Sequence, residues 1–193
     1  MGLAVGHTVP WRRIQHSAVV GTSIVPGDKE DEQLENLQPL LTSLEQPVAV
    51  PNPLPVSAHI FGSMLDTMIV LEEQELSGSQ PLAWEPLPTN RASAASSLDA
   101  WLGLQREGPQ RMIIPAVRTA AENGGKHSRR KASGAPGDEL FLASCGLLSS
   151  GAQTVLLSRW RVGGKSTMEI TREFVQELPY TTAADAWQRT VQL

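Results

Sequence analysis

The chain of 193 residues contains a single cysteine, Cys145, and only 5% aromatic residues. One thiol excludes an internal disulfide, and it is too few for a zinc-thiolate site unless histidines complete the set. The four histidines do not help, because His7, His16, His59 and His127 show no metal-ligand spacing. Charge of one sign is also scarce. The 16 Lys+Arg against 20 Asp+Glu leave a net charge of −4, which offers no general attraction to nucleic acid or anionic lipid. No stretch approaches the roughly 18 apolar residues that a membrane helix needs. The opening MGLAVGHTVPWRRIQ lacks a secretory pattern, since its apolar residues are broken by His7, Pro10 and the Arg12-Arg13 pair. The expectation is a cytoplasmic protein in a reducing compartment, with no cofactor, no metal, no nucleic acid and no membrane partner.

What is present is a 40% hydrophobic composition with 14 Pro and 16 Gly, enough for one core carrying many turns. Ser17 to Val25 reads as a short strand. From Asp28 an acidic first turn (Glu30, Asp31, Glu32) leads into Leu34, Leu37, Leu41 and Leu44 on one helical stripe, broken near Pro39. Pro47 to Val50, Val56 to Phe61 and Met64 to Leu71 read as strands, and Glu72 to Pro88 as a long loop. Ser96 to Leu104 predicts a short helix carrying Leu98, Trp101 and Leu102. Arg111 to Val117 predicts a buried strand whose ladder Pro115 ends. The polar, basic segment Glu122 to Gly137 reads as a surface loop.

The last third is the most regular. Asp138 to Ser150 predicts a helix capped by Asp138 and closed by Gly151, and Gln153 to Trp160 predicts a strand. Ser166 to Leu178 opens with a Ser166/Glu169 capping box and stops at Pro179, and a final helix starts near Thr182 with Ala186, Trp187 and Val191. Alternating strands and helices point to a mainly parallel α/β sheet with helices on both faces.

Four features invite a chemical reading. Gly163-Gly164-Lys165-Ser166-Thr167 follows a strand and opens a helix, but Arg159 stands where a phosphate loop needs its first glycine, so nucleotide hydrolysis is set aside. Cys145 lies among Ala143, Ser144, Gly146 and Leu147 in mid-helix, without a cationic neighbour or helix N-terminus to activate it. It reads as a small packing residue. His59, in the strand-like VSAHIF, reads as a hydrogen-bonded core or edge group. Lys126, His127, Arg129, Arg130 and Lys131 form a basic run with no interleaved aromatics, the composition of a solvated loop open to trypsin, with Ser133 as a phosphorylatable neighbour.

GDELFLASCGLLSSGAQTVLLSRWRVGGKSTMEITREFVQEL followed by AADAWQRTVQL resembles the C-terminal half of CHAT domains. These are caspase-like (clan CD) domains found in bacteria beside tetratricopeptide repeats. The resemblance extends over Ser57 to Leu193, is strongest after Gly137, and is carried by the Gly-Asp-Glu-Leu helix and the Ser158-Arg159-Trp160-Arg161 strand end. It implies a three-layer caspase-like α/β sandwich with a central, mostly parallel sheet, and two segments. Residues 1–56, a short strand and an amphipathic helix, match the family poorly; residues 57–193 form the CHAT-like domain. A sheet truncated at its N-terminal end would leave an edge needing a partner chain or the rest of a parent polypeptide.

The resemblance also implies a Cys/His dyad at the carboxyl ends of two neighbouring strands, attacking a peptide carbonyl. In active members the cysteine ends a strand in Leu-Ser-Ala-Cys-x-Thr-Gly. The matching segment here is Ile113-Ile114-Pro115-Ala116-Val117-Arg118-Thr119-Ala120, which puts Val117 at the nucleophile position and keeps Thr119. The family pattern Leu-His-x-x-x-His-Gly matches its first histidine to His59 and puts Ser63 at the catalytic position. The expectation is a degenerate, non-catalytic domain that binds or scaffolds a protein partner. The alternative is a cysteine endopeptidase using Cys145 with His59.

Overall fold

A computed structural model describes residues 17–20, 37–44, 46–50, 65–71, 74–76, 81–87, 97–103, 108–119, 138–157 and 164–192. Their elements in chain order are β1 (Ser17–Val20), helical residues 37–42 (α1), β2 (Pro47–Val50), β3 (Thr67–Val70) and β4 (Gln74–Leu76). A 3-10 turn (Pro81–Ala83), α2 (Leu98–Leu102), β5 (Arg111–Ile114) and β6 (Val117–Thr119) follow. The chain continues through α3 (Asp138–Ser149), β7 (Thr154–Leu157), α4 (Gly164–Glu177) and α5 (Ala183–Thr190).

Five strands form one parallel sheet in the order β2-β1-β3-β5-β7. Met-Ile-Val in β3 and Met-Ile-Ile in β5 are continuous apolar runs, as expected of strands covered on both faces. The pleat sorts them. Met68, Val70, Met112 and Ile114 pack on Leu98 and Trp101 of α2 and on Ala143 and Leu147 of α3. Ile69 and Ile113, one residue out of phase, pack on Leu37 and Leu40 of α1, Met168, Phe174 and Val175 of α4, and Ala186 of α5. The result is a helix–sheet–helix sandwich with one core cluster on each face. On the second face α4 and α5 are locked by an edge-to-face pair, Phe174 and Trp187, with centroids 6.0 Å apart.

The sheet draws strands from both sides of residue 56, with β1 lying between β2 and β3. Pro115 does interrupt the β5 ladder, since it has no N–H to donate, and pairing resumes only at β6. Ile69 faces Ile113 while Gln74 faces Val117, so five steps on one strand match four on the other. Strands β4 and β6 form a second, two-stranded parallel sheet whose register is offset by one residue from that of β3 and β5.

Several local expectations need correction. Glu72 to Pro88 is not simply a loop, because it contains β4 and the 3-10 turn; Gln74 and Leu76 point inward around an exposed Glu75. The strand expected over Arg111 to Val117 divides at Pro115 into β5 and the start of β6. Helix α4 begins at Gly164, which places Ser166 inside the first turn rather than at the cap. Asp138 is likewise the first helical residue of α3, where with Glu139 it meets the positive end of the helix dipole. On α1 the buried residues are Leu37 and Leu40, the second of them off the expected stripe, while Leu41 and Leu44 are half-buried against the same cluster. Pro39 lies within the helical residues, exposed, its carbonyl accepting from Thr42 Oγ1 at 2.9 Å.

Candidate functional site

In an open parallel sheet a crevice forms beyond the carboxyl ends of the strands, where neighbouring connections leave for opposite faces. Here α1, between β1 and β2, packs on one face, whereas α2 and α3, which follow β3 and β5, pack on the other. The switch therefore lies between β1 and β3, whose ends Val20 and Val70 are paired. Beside it the carboxyl ends of β3 and β5 run on into the β4–β6 sheet. That continuation is tightly packed: Leu76 is 1% exposed, and Gln74 is buried with its backbone N–H donating to the Ala116 carbonyl at 2.8 Å.

Val117 sits in β6 opposite Gln74, with no exposed surface, inside the cluster shared with α2 and α3. It carries no nucleophilic atom, and no solvent reaches it. Thr119 pairs with Leu76 in the same sheet.

Cys145 lies in α3 and is half-buried, outside both core clusters. The buried stripe of α3 runs instead through Ala143, Gly146 and Leu147. Helix α3 delivers its C-terminal end to the amino ends of β5 and β7: Gly108 N–H donates to the Ser150 carbonyl at 2.7 Å, and Gln153 N–H to the Gln110 carbonyl at 2.7 Å. Cys145 is four residues before Ser149, roughly 6 Å along the axis at 1.5 Å per residue, and so belongs to the amino-edge half of this layer. His59 and Ser63 lie outside the described residues, as do His7, His16, His127, the basic run 126–131 and Ser133.

The structure adds polar groups that sequence reasoning did not single out. Trp84 Nε1, Trp101 Nε1, Glu139 Oε2 and Thr171 Oγ1 are buried without a hydrogen-bond partner. Trp84 belongs to the segment read as loop, so no periodicity marked it; Trp101 was expected as a helix core residue, and its indole N–H is what the pattern could not show. Among the described residues no group of three or more His, Cys, Asp or Glu could hold a metal ion. Among the same residues no helix is long and apolar enough to cross a membrane.

Compared with known proteins, the chain matches no family model, no curated protein and no solved structure.

Proposed function

We propose that this chain is a CHAT-type, caspase-like domain that has lost peptidase chemistry and works in a bacterial cytoplasm by binding or scaffolding another protein. The observation that carries the reading is Val117. At the position where the resemblance places the nucleophile stands an aliphatic side chain with 0% exposure, built into a second sheet. A peptidase needs a thiolate there, open to a substrate carbonyl and within reach of a base. The three-layer build, with a parallel sheet ordered β2-β1-β3-β5-β7, supports the caspase-like assignment. Cys145, half-buried outside both core clusters and on the amino-edge side of its layer, is not the core packing residue expected from sequence, and its distance from the carboxyl ends of the strands weighs against the alternative pairing with His59.

Alkylation decides between the two. The folded protein is treated with a peptide-derived electrophile and, separately, with iodoacetamide, and each rate is compared with that of the unfolded chain. The expected result is slower labelling of Cys145 when folded, with no preference for the peptide reagent. Saturable, rapid labelling by the peptide reagent, lost in both Cys145→Ala and His59→Ala, would instead establish a cysteine peptidase.

A further inference from the structure

We draw no further inference here: the strongest candidate, the outward face of α3, where Phe141, Leu142 and Leu148 are exposed around the half-buried Cys145, is an unpartnered apolar helix face, and nothing in the structure shows what covers it.

Discussion

Gly146 shows how much a single missing atom can decide. A Cβ built there would come within 2.5 Å of Leu98 Cδ2 and 2.9 Å of Leu98 Cγ, so α2 can lie on α3 only because position 146 has no side chain. Alanine is the better helix former by about 1 kcal/mol, but the overlap must be relieved by displacing a fully buried leucine, and overpacking of this kind costs about 1–3 kcal/mol. The clash should win. Gly146→Ala is expected to lower the urea midpoint, and Leu98→Ala should cost less in that background than in the parent, because the new methyl group occupies part of the vacated space. Additive losses in the two-variant cycle would show that 98 and 146 are not in contact. Gly151 is indispensable for a different reason: its φ of 108° closes α3 in a region where side chains are rarely accommodated. The closing glycine was readable from sequence because αL helix ends demand one. Gly146 was not, because a glycine inside a helix announces only that something comes close.

At the level of elements, short-range chemistry was legible and its long-range use was not. Thr182 caps α5 as its sequence position promised, with Oγ1 accepting from the Asp185 N–H at 3.2 Å and donating to Asp185 Oδ2 at 2.7 Å. Thr182→Ala is expected to cost about 1 kcal/mol and Thr182→Ser much less, measured as chemical denaturation midpoints; equal losses in both would point to methyl packing rather than capping. The Pro115 break could likewise be read directly, since a missing N–H is local information. Strand β4 could not. Gln-Glu-Leu has no strand propensity of its own, and it becomes a strand because the β3–β5 ribbon carries it alongside β6. The same contrast runs through the candidate site. Val117 was located by resemblance and its chemistry by inspection, but its complete burial depends on β4 and α2, which are distant in sequence. The Ser166/Glu169 pattern misled because the helix already starts at Gly164, two residues ahead of the matching letters.

For the molecule as a whole, the consequential fact is that β1 lies inside the sheet. Sequence reasoning set residues 1–56 apart from 57–193 as a separate N-terminal segment, yet they contain β1, β2 and α1. Without them β3 would lose its partner from Thr67 to Val70, all four of which are buried, and Ile69 and Leu71 would lose Leu37 and Leu40 from the cluster on their face. Each of those leucines is at most 2% exposed, and burial of such a side chain is worth about 1.5–3 kcal/mol, so the pair alone approaches the lower end of the 5–15 kcal/mol by which domains are stable. The new edge, Thr-Met-Ile-Val, would also be uncharged and free of proline, the kind of edge that recruits other chains. Deletion of residues 1–56 is therefore expected to leave a chain that aggregates or binds a hydrophobic dye and melts without a cooperative transition, while the full chain gives coincident transitions by tryptophan fluorescence and far-UV circular dichroism. A sharp calorimetric transition for 57–193 alone would mean that the three strands β3, β5 and β7 make a self-sufficient sheet and that the N-terminal strands are an addition to it. The opposite result would make the unit of folding larger than the unit of resemblance, with the two halves of the core joined through one shared sheet.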